Sequence, residues 1–541
     1  MSKANSESSM FVTQRVIREW KRRGSRLKMA DSMGTEVSGT NALIRTLILR
    51  RLLLRKVLAP DEQYLGLLLP PSAGATIANV AVALCGRVSV NLNYTVTSDV
   101  LNECIKLAGI KHVLTSRRFM EKMNFSLNAE LVYLEDFKDA VTLVDKIACA
   151  AAAKFVPASM LDQWLGLTQR KVDDPLTVIF TSGSTGVPKG VVLTYGNINH
   201  NVTAIGECVG LNDNDVVMGI LPFFHSFGYT VTLWAVQALP PCGIYHFNPL
   251  EARQVGKMCE QYGATVLLAT PTFLTNYVRR VEPKQFEKLD VVIAGAEKLP
   301  VSVSDAFEER FKIRPVEGYG TTELSPLVSV NIPPTRDKTG KNEGWLEGSV
   351  GRPVKDVQAR IISLDDPSKV LPIGESGMLQ IKGPNVMKGY LHREDLTSKV
   401  LKDGWYETGD VAFLDPKGFI HITGRQSRFS KIGGEMVPHI QIEETISMIL
   451  GVQGDSESNG PQAVITAVPD PKRGERLIVL HTKLPMTPGE ITKRLQSEGL
   501  PNLYIPSEDS FFEVEQIPVL GTGKLDLRGM QQLAKERASA S

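Results

Sequence analysis

The chain has 541 residues, more than one compact hydrophobic core normally holds, so two or more domains are expected. Its 43% hydrophobic and 22% charged residues are typical of a soluble globular protein, and a formal net charge of +2 makes no strong case for a nucleic-acid partner. Six cysteines are scattered without a Cys-x-x-Cys pair, which argues against a zinc site or a disulfide scaffold and suits a reducing cytosol.

The N-terminal region is basic and has no visible signal peptide, because its first residues are polar. Residues 43–58 show helical spacing, with leucines on one side and basic residues on the other, but Arg50 falls on the apolar side. A membrane-surface helix and a packed first helix with a solvated basic face both fit, and Arg50 favours the packed helix. The basic tail around Trp20 is still expected to be able to contact anionic lipid. No apolar run reaches the ~20 residues that a membrane span needs.

Short apolar runs then alternate with helical patterns over the first three-quarters of the chain. A helix is predicted over residues 73–84, and strands are predicted over residues 65–69, 112–115, 178–180, 265–269 and 291–294. This alternation predicts an α/β fold of parallel sheets flanked by helices, in which ligands bind beyond the strand ends.

The segment from Thr181 to Gly190 reads TSGSTGVPKG and follows one of these apolar runs. Glycines allow backbone N–H groups to face an anion, hydroxyls add donors, and Lys189 supplies positive charge, so the segment fits a phosphate cradle. An ordinary Gly-rich turn is the other interpretation. A Walker A loop is disfavoured, because Lys189 is followed by Gly190 and not by Ser or Thr.

The pattern changes after residue 425. Residues 463–468 and 477–482 are predicted strands around a turn at 471–474. Thr487-Pro-Gly-Glu490 has the form of a capping box with proline at the first helical position, so a helix is predicted from there toward residue 498. The C-terminal region therefore reads as a small α+β domain.

Four further motifs follow the glycine-rich segment in order: GYGTTE at 318–323, YETGD at 406–410, GR at 424–425 with KIGGE at 431–435, and GTGK at 521–524. With these motifs the chain resembles the adenylate-forming superfamily of acyl-CoA synthetases, luciferases and adenylation domains. The resemblance runs from about residue 31 to the C-terminal end. It implies a basic extension (1–30), a large AMP-binding domain of parallel sheets flanked by helices (31–425) and a small mobile α+β lid (426–541).

The resemblance also implies a site in which ATP and a carboxylate form an acyl-adenylate with release of pyrophosphate. The β- and γ-phosphates would be held by Thr181, Ser182, Gly183, Ser184, Thr185, Gly186 and Lys189. The rest of the nucleotide would be held by Gly295, Ala296, Glu297, Tyr319, Gly320, Thr321, Asp410 and Arg425, with Tyr319 on adenine and the last two on ribose. The reacting groups would be served by Thr322 on the α-phosphate, Glu323 on Mg²⁺, His225 beside the substrate carboxylate and Lys524 between the two reactants.

A second step would pass the acyl group from AMP to a thiol. By resemblance, Lys431, Gly433 and Gly434 would line a tunnel for a phosphopantetheine arm after the lid rotates. Many relatives carry Asp at the hinge position that Ser427 occupies, which leaves the set point of this rotation open. The acyl pocket is expected from residues dispersed over 230–243 and 270–277.

The segments 425–437, 90–95 and 69–75 are most similar to bacterial acyl-acyl carrier protein synthetases, which are often fused behind a lysophospholipid acyltransferase. None of the eight histidines has Asp at the His-x-x-x-x-Asp spacing of that acyltransferase. The expected function is therefore fatty acid transfer to acyl carrier protein, with coenzyme A as the alternative thiol and a separately encoded acyltransferase as a further expected partner. A non-catalytic nucleotide-binding protein is the alternative of another class, and the expected location is cytoplasmic, with peripheral contact at the inner membrane face left open.

Overall fold

The computed structural model of the chain describes residues 10–181, 188–337, 340–341, 343–433, 435–450, 462–519 and 525–540. These residues fall into two compact units. The first takes its described residues from Met1–Arg360, Gln380–Thr408 and Leu414–His421, and the second from Ile361–Leu379, Gly409–Phe413 and Ile422–Ser541. Both units mix helices with strands, which confirms the predicted α/β class. The predicted domain limits at residues 30 and 425, and the mobility of the lid, stay predictions.

A seven-stranded sheet in the first unit carries the two strands that flank the glycine-rich segment. Five of its strands form a parallel series, as predicted, and the first two in the order below join through antiparallel pairs. The strands, in sheet order, are Gly389–Tyr390, Lys189–Thr194, Pro175–Thr181, Val88–Asn91, Tyr64–Leu67, His112–Thr115 and Glu130–Tyr133.

A nine-stranded sheet in the same unit carries the GYGTTE motif. Six of its strands form a parallel series, and antiparallel strands extend both edges. The strands, in sheet order, are Arg352–Pro353, Leu327–Val330, Val316–Gly320, Val291–Ala294, Val266–Ala269, Val216–Gly219, Cys242–Tyr245, Leu27–Asp31 and Glu36–Ser38. The central strands are buried along their length, as parallel strands covered on both faces should be.

Helices connect these strands. The α-helices of the first unit are Val12–Arg23, Gly39–Lys56, Ala73–Leu84, Ser98–Ala108, Arg117–Met120, Phe137–Ala140, Leu143–Phe155, Ala158–Trp164, Tyr195–Val209, Val236–Ala238, Ala252–Tyr262, Pro271–Arg280, Val301–Phe311 and Glu394–Val400. A π-helix spans Phe227–Ala235, and short 3₁₀ turns lie at Leu134–Asp136, Leu167–Gln169, Pro283–Phe286, Thr322–Leu324 and Pro334–Arg336. The predicted helix at 73–84 has the predicted ends, because Ser72 caps its first turn by accepting from the Ala75 N–H.

The basic N-terminal segment folds against the first unit. Trp20 is fully buried and donates its indole N–H to Gln237 at 3.0 Å. Arg22 pairs with Asp213 at 2.6 Å, and the buried Lys28 ammonium donates to three backbone carbonyls at 2.7 to 2.8 Å. Several basic side chains of this segment therefore have protein partners, and contact of the tail with lipid stays a prediction.

The second helix tolerates Arg50 on its apolar side because this cation has a backbone partner. This helix, Gly39–Lys56, buries Leu43, Leu47 and Leu53, as the packed-helix interpretation predicts. Arg50 is half-buried, and its Nε donates to the carbonyl of Leu84 at 2.8 Å. Leu84 is the last residue of helix Ala73–Leu84, where carbonyls lack intrahelical partners, so Arg50 supplies a donor to this helix end.

The second unit has its own five-stranded sheet. The strands are Glu435–Pro438, Phe429–Ile432, Gly474–His481 and Ala463–Asp470 in sheet order, with Phe511–Glu513 parallel to the third. Successive side chains of the long hairpin alternate between two cores, so that Ile465 packs on one face and Val464 on the other. Helices cover these faces and include Pro488–Ser497, which begins at the predicted capping box. The others are His439–Ile449 and Leu527–Ala540, with 3₁₀ turns at Gln426–Arg428, Asn502–Tyr504 and Glu508–Ser510.

Five further strands lie where the chain passes from one unit into the other: Gln358–Ile362, Gly377–Lys382, Leu401–Lys402, Trp405–Leu414 and Ile420–Arg425. Among the described residues, no helix combines the length and apolar character needed to cross a bilayer.

Candidate active site

The two ends of the predicted phosphate cradle are adjacent. Strands Pro175–Thr181 and Lys189–Thr194 form an antiparallel pair in which Thr181 lies opposite Lys189. The cradle residues between them, Ser182, Gly183, Ser184, Thr185 and Gly186, lie outside the described part of the chain. The Lys189 ammonium lies 5.4 Å from the ring centroid of Tyr390, close enough for a cation–π contact. The Lys189 ammonium is thus held beside Tyr390, at the described end of the predicted cradle.

The GYGTTE motif forms a strand that ends in a tight turn. Strand Val316–Gly320 leads into the 3₁₀ turn Thr322–Leu324, and the Thr321 N–H donates to the Pro326 carbonyl at 3.2 Å. A side chain at Gly320 would place its Cβ only 1.9 Å from that same carbonyl oxygen, so only glycine fits there. The motif is therefore a close backbone crossing, which fixes the directions of Tyr319 and Glu323.

Glu323 is held by neutral donors. The Tyr390 hydroxyl donates to its Oε1 at 2.8 Å, and the Met387 N–H donates to its backbone carbonyl. Burial, followed by the charge of Glu323, raises the pKa of Tyr390, and burial with the same charge raises the pKa of Tyr406. Both phenols therefore stay protonated at neutral pH. Sequence reasoning passed over these two tyrosines as site residues, although Tyr406 opens a motif that it quoted.

The donor set fits Mg²⁺. Within the described residues there is no group of three His, Cys, Asp or Glu side chains that could hold a metal by themselves. Glu323 is a single carboxylate that accepts from the Tyr390 hydroxyl, and the ring of the same tyrosine contacts the Lys189 ammonium. Mg²⁺ is commonly held by one or two carboxylates, with substrate phosphates and water completing its shell, so a lone carboxylate beside a phosphate cradle suits it.

The segment from His225 to Phe227 contacts two motifs. The Ser226 hydroxyl lies 3.2 Å from the Thr322 hydroxyl. The Phe227 ring lies so close to Gly295 that a Cβ placed on this glycine would be 3.1 Å from a ring carbon. His225 is exposed, and its ring packs on Phe224 with centroids 4.6 Å apart. Ser226 and Phe227 were not predicted as site residues, and their link to the motifs comes from tertiary contacts that no local pattern reveals.

The Gly295–Ala296–Glu297 turn follows strand Val291–Ala294. The Gly295 N–H donates to the Ala269 carbonyl at 3.2 Å, which joins the ends of two parallel strands. Ala296 has φ of 69°, a region that residues with a side chain rarely adopt. Glu297 accepts from the Thr272 hydroxyl at 2.8 Å. The turn lies at the carboxyl end of the sheet, where α/β proteins bind ligands.

An apolar cavity of about 50 Å³ lies beside this turn. Its lining is entirely apolar and comes from strands of the nine-stranded sheet and from the helices that cover it: Ile205, Val209, Leu211, Val217, Phe227, Val231, Val236, Val266, Leu268, Ile293, Leu327 and Val330. Phe227 faces both this cavity and Gly295. The lining takes Val231 and Val236 from the expected range 230–243 and no residue from 270–277.

The second unit brings Asp410 and Arg425 together. Arg425 Nε donates to Asp410 Oδ1 at 2.9 Å, with Asp410 buried and Arg425 exposed. Asp410 lies within strand Trp405–Leu414 and therefore caps no helix. An ionised pair of this kind gives the carboxylate a fixed direction.

The predicted thiol-tunnel residues lie in the same unit. Lys431 Nζ is 2.8 Å from Asp365 Oδ1, and both side chains are exposed. Gly433 has φ of 59°, and nothing lies within 4 Å of a Cβ placed there, which leaves open space beside the backbone. Gly434 and Lys524 lie outside the described residues.

The fold and these motifs define an adenylate-forming class of enzyme. A family model described as AMP-binding enzyme matches residues 31–391, and the chain belongs to this family. The family confirms the recognition made from the motifs, and with it the enzyme class and the expected use of ATP with Mg²⁺.

Similar proteins include two named ligases. A long-chain-fatty-acid–CoA ligase of Bacillus subtilis (strain 168) is 32% identical over 322 residues, covering 57% of this chain and 53% of the ligase. A 2-succinylbenzoate–CoA ligase of Bacillus cereus is 29% identical over 370 residues, covering 67% of this chain and 71% of the ligase. The match to the B. subtilis ligase thus spans about half of that relative.

Two solved structures share the fold. The o-succinylbenzoate CoA synthetase of B. subtilis, in complex with its acyl-adenylate intermediate, has a TM-score of 0.78 at 21% identity and covers 96% of this chain and 97% of its own. ATP-bound MatB of Rhodopseudomonas palustris has a TM-score of 0.76 at 22% identity, covering 97% of this chain and 99% of its own. These likenesses establish the fold alone.

Proposed function

We propose that this protein activates a long-chain fatty acid as an acyl-adenylate, using ATP and Mg²⁺, and then transfers the acyl group to a thiol. The observation that supports an acyl substrate is the position of Phe227, which lines the apolar cavity and also contacts the Gly295 turn. At about 50 Å³ the cavity is far smaller than the roughly 300–1,000 Å³ of a small-molecule site, so a long acyl chain would enter only by displacing side chains of the lining. The fully apolar lining favours a hydrocarbon over a polar acid.

In the first step, a carboxylate oxygen would attack the α-phosphorus and pyrophosphate would leave. Thr181 and Lys189 stand at the ends of the cradle proposed for the β- and γ-phosphates. Glu323 would hold the Mg²⁺, whose charge lowers the repulsion between the reacting anions. Tyr390, protonated and hydrogen-bonded, keeps the Glu323 carboxylate in place. Thr322, oriented by Ser226, would donate to the α-phosphate.

Residues of the second unit have proposed roles in both steps. Asp410 would accept from the ribose hydroxyls, with Arg425 fixing its direction. Lys524 would lie between the carboxylate and the α-phosphate, where negative charge gathers in the transition state. In the second step the thiolate would attack the acyl carbonyl carbon and AMP would leave, with the arm passing Lys431 and Gly433.

The thiol acceptor has two candidates. Coenzyme A is favoured by the relatives, since both ligases reported above are named as CoA ligases. Acyl carrier protein is favoured by the resemblance of residues 425–437 to carrier-protein synthetases. Exposed Lys472 and Arg473 could receive such an acidic carrier. A separately encoded acyltransferase would be a further partner only in the carrier-protein case.

Release of pyrophosphate from ATP, measured with purified protein and a panel of fatty acids, tests the proposal. We expect release that requires both ATP and a long-chain acid. We also expect more thioester product with coenzyme A than with holo carrier protein, whose phosphopantetheine thiol is free, at equal thiol concentration. A preference for the carrier protein would overturn the choice of coenzyme A. Nucleotide binding without acid-dependent pyrophosphate would favour the non-catalytic alternative.

A further inference from the structure

Two consecutive helices of the first unit, Leu143–Phe155 and Ala158–Trp164, leave most of their large apolar side chains exposed; Leu161 is the buried exception among the residues described there. We name them the outer helices. The residues that the first of them turns inward are small or polar and lie four apart: Asp145, Cys149 and Ala153. The residues left 60% to 81% exposed across the pair are Leu143, Val144, Ile147, Phe155 and Trp164.

This arrangement is the reverse of an ordinary surface helix, in which the apolar stripe faces the core. The helix is held by Asp145 and not by burial of leucine. Asp145 accepts from Arg51 at 3.0 Å and from Arg55 at 3.1 Å, both on helix Gly39–Lys56, and it caps its own helix through Thr142. The exposed apolar face is therefore not needed to attach the helix, and a contiguous face of this kind usually marks an interaction surface.

The exposed charges on the outer helices themselves are of one sign. The exposed charged side chains of the outer helices are Lys146 and Lys154. Their two acids, Asp145 and Asp162, are buried and paired with arginines. Lys21 adds a further cation where its ammonium reaches the Ala153 carbonyl at 2.6 Å.

We propose that the outer helices dock this protein on the surface of an anionic phospholipid bilayer. Aromatic and aliphatic side chains with lysines beside them are the composition of a helix that lies in the plane of a membrane interface. Protein interfaces, by contrast, are depleted in lysine, which disfavours a second polypeptide as the occupant. The docking does not depend on the proposed acyl substrate. The basic N-terminal segment adjoins the outer helices, through Lys21 on the Ala153 carbonyl and Arg18 on Asp162.

Sedimentation with vesicles tests the proposal on the full chain. We expect the wild-type protein to bind vesicles of phosphatidylcholine mixed with phosphatidylglycerol, and to bind pure phosphatidylcholine much less. The variant Ile147→Ser/Phe155→Ser should bind the anionic vesicles about tenfold or more weakly, because two exposed apolar side chains are lost. Its thermal unfolding should match wild type, since neither side chain is buried. Leu250→Ser/Val301→Ser, which alters two exposed apolar residues elsewhere in the first unit, should bind as wild type.

Charge and position can be tested separately. Lys146→Gln/Lys154→Gln should weaken binding to anionic vesicles roughly tenfold and leave the weak binding to neutral vesicles unchanged. Brominated lipid should quench the emission of Trp164, and Trp164→Phe should lose most of that quenching. Of the other four tryptophans, Trp20 and Trp234 are fully buried, and the half-buried Trp345 and Trp405 lie outside the outer helices.

Three results would overturn the proposal. One is equal binding to neutral and anionic vesicles, and another is undiminished binding by the double serine variant. The third is a concentration-dependent dimer of the wild type that the serine variant loses, which would mean that a second copy covers this face. Pyrophosphate release from a water-soluble acid should be unaffected in every variant, so failure of docking and failure of the proposed function are distinguishable.

Discussion

At the scale of single residues, Tyr390 connects two groups that the motifs treat separately. Its ring lies under the Lys189 ammonium and its hydroxyl donates to Glu323. Because its pKa is raised by burial and by Glu323, the phenol remains a donor at neutral pH. The proposed metal ligand and the proposed phosphate ligand thus share one rigid neighbour, which is how an outer residue orients a metal-binding carboxylate.

Replacing Tyr390 by Phe tests this link. We expect the Mg²⁺ concentration needed for half-maximal pyrophosphate release to rise roughly tenfold or more, because the carboxylate loses its orienting donor. Tyr262→Phe is a matched control, since it removes a 3.0 Å tyrosine–glutamate hydrogen bond to Glu36 on the surface. An unchanged Mg²⁺ dependence in Tyr390→Phe would contradict the role.

Lys524 can be tested by separating the two half-reactions. Lys524→Ala should lose adenylation by about 10²-fold or more, the usual effect of removing a positioned transition-state charge. Thioester formation from supplied acyl-AMP should survive. Equal loss of both half-reactions would contradict the assignment.

At the scale of elements, the π-helix Phe227–Ala235 shapes the proposed acyl site. It begins directly after Ser226, which contacts Thr322, and it supplies Phe227 and Val231 to the cavity. Irregular helices of this type are often found at functional sites. The same element therefore joins the nucleotide motifs to the apolar lining.

Narrowing the cavity should shorten the preferred acid. Val231→Phe adds a ring to the lining, so the ratio of activity on a long-chain acid to activity on an eight-carbon acid should fall about tenfold or more, as each lost methylene contact weakens binding. Activity on the short acid serves as the internal control, and the exposed Val301→Phe is the control variant. An unchanged ratio would show that this cavity does not bind the acyl chain.

The second unit should lose stability in acid through His439. Its Nε2 lies 2.6 Å from the Ser430 hydroxyl, and burial, with nearby Arg428, lowers its pKa to about 3. The folded state thus keeps it neutral while the unfolded chain binds a proton below about pH 6.5, so stability falls as pH drops from 6.5 toward 3, by up to about 1.4 kcal/mol per pH unit.

Hydrogen exchange of peptides from Phe429–Ile432 and His439–Ile449, corrected for the intrinsic pH effect, measures this slope. His439→Asn should be less stable at neutral pH and should lose part of the acid slope. Identical slopes in the two proteins would show that other groups control the acid response.

At the scale of the whole molecule, local sequence signals predicted much of the fold but few of the residues that hold the site residues in place. Helix Ala73–Leu84 and the Thr487 capping box were readable because caps and periodicity are local. Helix Val12–Arg23 was passed over, although Val12, Val16 and Trp20 repeat at helical spacing. What no local pattern could show is its long-range pairing, such as Arg22 with Asp213. Tyr390 and Ser226 were missed for the same reason: their roles come from contacts with Glu323 and Thr322 that only the folded chain creates.

The most direct test of the central claim follows the oxygen atoms of the acid. If a fatty acid carboxylate attacks the α-phosphorus, a fatty acid labelled with ¹⁸O in its carboxyl group must leave one heavy oxygen on AMP when the thiol takes the acyl group. Mass spectrometry of the nucleotide product should therefore find AMP with one ¹⁸O, and none with ATP and labelled acid when the protein is omitted. Formation of ADP, or of AMP free of the label, would contradict an acyl-adenylate intermediate.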